Sequence, residues 1–238
     1  MLSNASGSAT DLRQVQRNMH LLLLALKLAS KRHPFRLTLD QKFRHLLEKL
    51  YHQFDWFAAA HLAERKKIIH CKPGCSLCCY HYVDSVYAFE ILNIYGHLKS
   101  RSDFEILIRE CKSRYQTYIA LVETHRNHSS ASLEATEEYV LEQYAQLKLT
   151  CPFLQNHLCT IYEWRPFSCR AYFSLSAPHF CQPNMIYAAS RKTFLIQASH
   201  RSEKIGEEID LNMDGFGHNE GGLFAGIVKF ANLADASL

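Results

Sequence analysis

Apolar residues recur at Leu12, Val15, Met19, Leu22, Leu23 and Leu26, three or four residues apart. That spacing predicts an amphipathic helix with a wide apolar face, beginning near Asp11 and ended by Pro34. The same period returns at Phe43, Leu46, Leu47, Leu50, Tyr51, Phe54 and Phe57, with Thr38 or Asp40 as the expected cap. This second helix runs into the basic stretch Arg65-Lys66-Lys67, read as a solvated helix end. The two segments are expected to pair as an antiparallel hairpin.

Further along, Asp84 or Ser85 is the expected cap of a helix reaching about His97. Another helix is expected from Asp103, with Phe104, Leu107, Ile108, Cys111, Tyr115, Tyr118, Ile119 and Val122 on its apolar stripe. Ser129, Ser130 and Ser132 mark a loop and a new cap, and a helix then runs to about Lys148. At Cys151 the texture changes. CPFLQNHLCTIY reads as two short strands joined by a turn at Gln155-Asn156-His157. In RPFSCRAYF, Pro166 suits the first position of a short helix. Helical texture is expected again from about Ser190 to Glu208, followed by a Gly-rich loop, GFGHNEGG, and a last helix from about Leu223.

With nine glycines and six prolines in 238 residues, and no alternation of strands and helices, the expected fold is mainly α with a minor α+β component. The expected architecture is a helical domain around a short cysteine-rich β-hairpin, a candidate metal-binding core. Three segments are expected: residues 1–66, an N-terminal helical hairpin extension; residues 67–185, a cysteine-cluster metal-chelating domain; and residues 186–238, a C-terminal helical segment packing on it. The formal net charge of +4 is mild, and no basic stripe with interleaved aromatics is visible, so nucleic acid is not an expected partner. The longest apolar run, Leu21 to Leu28, is interrupted by Lys27 and too short to span a bilayer, so no membrane partner is expected. No signal-peptide pattern precedes it, and the expected location is the cytoplasm. Reduced thiols in that compartment point to metal or redox chemistry, not a disulfide framework.

The candidate chemistry lies in the cysteines. Cys71, Cys75, Cys78 and Cys79 fall in CKPGCSLCC, where Gly74 frees the backbone for a tight loop and Pro73 stiffens its approach. Cys151, Cys159 and Cys169 form a second group, with Cys181 as an eighth candidate ligand. Zinc takes four thiolates, and iron–sulfur clusters are also held by thiolates. Side chains of adjacent residues tend to point apart, so Cys78 and Cys79 are expected to serve different ions, or one of them to act as a supporting or redox thiol. Arg165 and Arg170 flank Cys169 and could offset thiolate charge by hydrogen bonds to sulfur. His70, His81, His157 and His179 lie near cysteines and could replace a thiolate, His157 being the first choice. Cys111 sits on an apolar stripe and reads as a small core hydrophobe.

CKPGCSLCC followed by CPFLQNHLC, TIYEWRP and FSCR resembles the YkgJ-type cysteine-cluster family, the zinc- or iron-chelating domain named for its CxxCxxCC pattern. Cys151, Pro152, Phe153, Leu154, Cys159, Ile161, Tyr162, Arg165, Pro166, Cys169 and Arg170 carry the match in the second block, and the resemblance covers about residues 68–182. It implies a chelator of zinc or iron, with an iron–sulfur cluster as one form of the iron. A lysine N-methylase of flagellin carries a similar cysteine block, which leaves open an iron–sulfur-dependent protein-modifying transferase. The spacing Cys71-x3-Cys75-x2-Cys78 equals that of the cluster cysteines of radical S-adenosylmethionine enzymes, but their strand–helix barrel is not visible, and Gly215-x-Gly217 is a weak nucleotide-loop match. A zinc-ribbon-like adaptor for a protein partner is a third reading. Whether the chain is an enzyme stays open on the sequence.

Overall fold

The computed structural model describes residues 9–31, 40–64, 69–71, 74–128, 132–185, 191–197, 199–213 and 221–235. Pro34, Thr38, Arg65, Lys66, Lys67, Pro73, Ser129, Ser130 and residues 215–220 of the Gly-rich loop lie outside the described residues.

The fold is mainly α, with two small antiparallel pairs of strands. Helices α1 (Ala9–Ser30) and α2 (Gln41–Glu64) form where the sequence period places them and pack on each other. Leu12, Val15, Met19, Leu23 and Leu26 of α1, and Phe43, Leu47, Leu50, Phe54 and Phe57 of α2, are buried. Asp40 caps α2, its carboxylate accepting the N–H groups of Lys42 (2.9 Å) and Phe43 (3.2 Å).

Helix α3 (Ala88–Leu98) is buried on nearly every side, as the apolar sequence AFEILNIYGHL requires. It begins later than the expected cap at Asp84 or Ser85. Among the described residues the Asp84 carboxylate accepts only the neighbouring Ser85 N–H, whereas the Ala88 N–H donates to Asp210 Oδ1 at 2.9 Å. The cap thus comes from a helix far along the chain. Helix α4 (Phe104–His128) follows, then α5 (Leu133–Gln146), which Ser132 caps by accepting the Ala135 N–H.

Strands β1 (Leu154–Gln155) and β2 (Leu158–Cys159) pair in antiparallel register, Leu154 opposite Cys159. Asn156 and His157 both have positive φ, +50° and +62°, which makes the two-residue turn tighter than the three-residue one expected. Pro166 is the cap of α6 (Phe167–Ala171), one place before the expected first helical position. Strand β3 (Tyr172–Ser174) pairs with β4 (Thr193–Leu195). This corrects the expected helix from Ser190: Thr193, Phe194 and Leu195 suit a strand, and the partner that draws them into one is the earlier segment Tyr172–Ser174. Helix α7 (His200–Leu211) starts only after the Ser199 cap.

Helix α8 (Gly222–Asp235) packs on α3 and α4, and α7 packs on α1. Gly222 has φ +73°, and a Cβ there would lie 2.1 Å from the Val83 carbonyl oxygen. The Leu223 N–H donates to that same oxygen at 2.8 Å, docking α8 on the segment that follows the first cysteine block. Buried apolar residues from α1, α2, α3, α4, the cysteine segments, α7 and α8 form one hydrophobic cluster. No described helix is long and apolar enough to cross a membrane.

Candidate metal centre

Two turns deliver the first cysteine block. Gly74 has φ +80°, a conformation costly for any other residue, and it precedes Cys75. A short 3-10 turn, Leu77–Tyr80, then carries Cys78 and Cys79. The second block is tied to the first through the main chain: the Cys151 N–H donates to the Cys79 carbonyl at 2.8 Å. Cys159 arrives on β2 and Cys169 on α6. Cys181 ends a second 3-10 turn, Pro178–Cys181.

Cys75, Cys78, Cys79, Cys151, Cys159 and Cys169 line one cavity of about 1050 Å³. Cys71 and Cys181 are not on its wall. Cys71 Sγ instead accepts the Ser174 N–H at 3.3 Å, and Cys181 Sγ accepts from Arg191 Nη2 at 3.6 Å. Cys71 still lies within electrostatic reach of Cys75, Cys78 and Cys181. Cys151 and Cys159 act in the same way on Cys79 and on Cys169. Cys111 is fully buried in the core, as its place on the apolar stripe predicts, and burial raises its thiol to about 12.

The neighbouring Cys79 side chain lowers Cys78 to about 7; burial opposes that shift, and the charges of Arg165 and Arg191 support it. The Cys78 side chain, with burial, raises Cys79. Burial also raises Cys151, Cys159, Cys169 and Cys71. Cys78 and Cys169 are open to the cavity space, yet protein surrounds them closely enough to penalise a bare thiolate.

The arginines divide their work differently from the expectation. Arg170 is buried, and its donors go to oxygen: Nε to the Arg165 carbonyl (2.8 Å), Nη1 to Asp55 (2.6 Å) and Nη2 to the Glu163 carbonyl. Its guanidinium lies 4.2 Å over the Tyr51 ring. It fastens α2 to the second cysteine block and donates no hydrogen bond to sulfur. Arg165 stacks 3.8 Å over Tyr162 and lines the cavity. Arg191, which donates to Cys181, was hidden in the stretch read as helix.

Of the four histidines, His81 and His157 line the cavity. Burial, with the charge of Arg191, lowers His81 to about 4. His157 Nδ1 lies 3.5 Å from Ser76 Oγ in the first block. His179 packs on the Phe180 ring, and His70 is exposed, its N–H donating to the Ser174 carbonyl. Glu90, which the sequence reading missed, is buried on α3 and faces the cavity; it accepts from Phe167 N–H (2.8 Å) and Tyr51 hydroxyl (3.2 Å). Burial raises its carboxyl to about 8. Nothing local separates it from an ordinary helix glutamate.

As the side chains stand, no three or more His, Cys, Asp or Glu among the described residues converge closely enough to hold a metal ion. The thiols are gathered around one space but not drawn onto one point.

Residues 70–187 match the CxxCxxCC family model, described as "Putative zinc- or iron-chelating domain". No curated protein and no solved structure matches the chain.

Proposed function

With residues 70–187 belonging to the CxxCxxCC family, we propose that the chain holds zinc or iron through thiolates drawn from both cysteine blocks. The observation that carries this reading is the lining of one cavity by Cys75, Cys78, Cys79, Cys151, Cys159 and Cys169, with the Cys79–Cys151 main-chain bond holding the blocks together. The donor chemistry fits. Thiolates select zinc, iron or iron–sulfur clusters over calcium and magnesium. Crowded and half-buried, all but Cys78 among the shifted cavity thiols are pushed toward the protonated state. A cation removes that penalty and releases protons as it binds.

Eight thiols allow two sets of four, with Cys78 between them, since it lies within electrostatic reach of Cys71 and also of Cys79, Cys151, Cys159 and Cys169. Cys71, Cys75, Cys78 and Cys181 form one. Cys79, Cys151, Cys159 and Cys169 form the other. Cys78 and Cys79 then serve different centres. Small side-chain rotations are needed to close either set. Arg165 and Arg191 supply positive charge beside the sulfurs.

Anaerobic purification followed by analysis for zinc, iron and acid-labile sulfide, with an absorbance scan of the same sample, tests the reading. One or two metal ions per chain support it. A colourless zinc protein identifies a thiolate chelate, and a brown one with matching iron and sulfide identifies a cluster. A chain that stays metal-free when refolded with either metal contradicts it.

A further inference from the structure

We propose that the free edge of strand β4 is the docking site of an extended acidic segment of a partner polypeptide, which adds as a third strand to the β3–β4 sheet at the mouth of the thiol cavity. This goes beyond the metal reading and does not depend on it.

The ladder itself leaves the edge open. The Leu175 N–H donates to the Lys192 carbonyl at 2.9 Å, and the Ile196 N–H to the Ala171 carbonyl at 2.9 Å. With Phe173 opposite Phe194, antiparallel alternation turns the main-chain groups of Phe194 toward β3 and those of Thr193 and Leu195 away from it. These outward groups have no hydrogen-bond partner among the described residues, and both residues are exposed. The other edge of the sheet is closed by the first cysteine segment: the His70 N–H donates to the Ser174 carbonyl at 3.0 Å, and the Ser174 N–H to Cys71 Sγ at 3.3 Å. A two-stranded sheet is marginal by itself, and an unpaired edge is a template for one more strand.

The edge lies at the thiols. Phe194 stacks on His61 of α2, ring centroids 5.9 Å apart, which leaves Tyr172 and Leu195 of the opposite face on the cavity wall. Leu195 is 53% exposed there, and Leu158 and Tyr162 of the same wall are 61% and 54% exposed. The mouth of the cavity is thus apolar and uncovered. A strand added to β4 sets every second side chain on this face, where an apolar residue meets Leu195.

Charge selects the occupant. The stretch from Arg191 to Arg201 carries three cations, Arg191, Lys192 and Arg201, and no acid. Arg191 is engaged by the Tyr172 hydroxyl and Cys181, whereas Lys192 and Arg201, on either side of β4, are exposed. A second copy of this chain on the same edge would bring like charges together. Acidic residues at the two ends of an incoming strand meet Lys192 and Arg201 instead. The outward N–H and carbonyl groups of Thr193 and Leu195 are matched by another main chain, which makes the occupant a polypeptide and not a small anion.

Amide hydrogen exchange of the full chain, read residue by residue by NMR with metal content measured on the same sample, tests this with two capped peptides. One alternates valine and threonine between paired aspartates at each end; the other carries lysines in place of the aspartates. The acidic peptide is expected to slow exchange of the Thr193 and Leu195 amides at least about tenfold, and the lysine peptide to leave them unchanged. Leu195→Pro removes an outward N–H and no ladder bond; it is expected to keep its unfolding midpoint and to lose the acidic peptide. The double variant Lys192→Glu, Arg201→Glu is expected to take the lysine peptide instead. No slowing at β4, equal slowing by both peptides, full binding of the acidic peptide by folded Leu195→Pro, or slowing that grows with chain concentration in the absence of peptide (a second copy on the edge) overturns the proposal. Metal bound without protection of β4 overturns the docking inference alone; protection of β4 in a chain that takes up no metal contradicts the metal reading alone.

Discussion

The Cys151 N–H donates to the Cys79 carbonyl at 2.8 Å. This one main-chain bond joins the turn that carries the vicinal cysteines to the start of the β1–β2 hairpin. It sets the two thiol blocks face to face through backbone geometry, before any ion draws the side chains inward. In the proposed reading the fold builds the site and the metal closes it.

Cysteines of the cavity wall and of the core should separate cleanly on substitution. Cys159→Ser removes a wall thiol, and is expected to lower metal content and unfolding midpoint together. Cys111→Ala is expected to keep full metal content and to cost only about 1 kcal/mol of packing. Metal-to-protein ratios and denaturation midpoints of both variants check this; metal lost in Cys111→Ala would contradict the assignment of the groups.

Arg170 is a structural clamp. Arg170→Ala leaves the Glu163 and Arg165 carbonyls and Asp55 without their shared donor, and should destabilise the chain by about 3 kcal/mol or more. Asp55→Asn should cost much less, because that carboxylate is 40% exposed and water can replace the pairing. Urea titrations of the two variants give the comparison. Equal losses would argue against the clamp.

Asp210 gives stability a pH dependence. Burial raises its carboxyl from 3.8 to about 7 in the folded chain, against the bonds from Ala88 and Phe89 N–H. The folded state thus keeps a proton that the unfolded chain has already released. This contribution is complete below about pH 4 and is lost as pH rises through 7. Asp210→Asn keeps an oxygen acceptor for Ala88 and cannot ionise. Relative to the unsubstituted chain it should gain on the order of 2 kcal/mol between pH 5 and pH 8. Unfolding free energies at the two pH values measure the change, and an unchanged difference would refute it.

Gly222 should tolerate no side chain. Alanine there meets both a positive φ and the Val83 carbonyl, which as backbone cannot swing away. Gly222→Ala is expected to cost about 2 kcal/mol or more and to loosen α8. Thermal unfolding and hydrogen exchange of the Leu223 amide report both effects.

Much of this architecture is legible in the chain. Long helices such as α1 and α2 announce themselves because burial of Leu12 to Leu26 and Phe43 to Phe57 follows the helical period. The β1–β2 hairpin is legible because its turn carries Asn156 and His157 between two short apolar runs. Features fixed by distant partners are not. The start of α3 depends on Asp210, and β4 depends on Tyr172–Ser174. The cysteine groups could be read from spacing, but Cys71 and Cys181 standing off the cavity wall could not, since Ser174 and Arg191 hold them. Glu90 left no local signal because only tertiary packing makes its carboxyl buried.

The most direct test of the central claim is X-ray absorption at the edge of the bound metal, in the unsubstituted chain and in Cys159→Ser. Thiolate ligation from both blocks predicts a first shell of about four sulfurs near 2.3 Å for zinc, with fewer sulfurs or less metal in the variant. A shell of nitrogen and oxygen alone, or a sulfur shell that Cys159→Ser leaves untouched at full metal content, would contradict a centre shared by the two cysteine blocks.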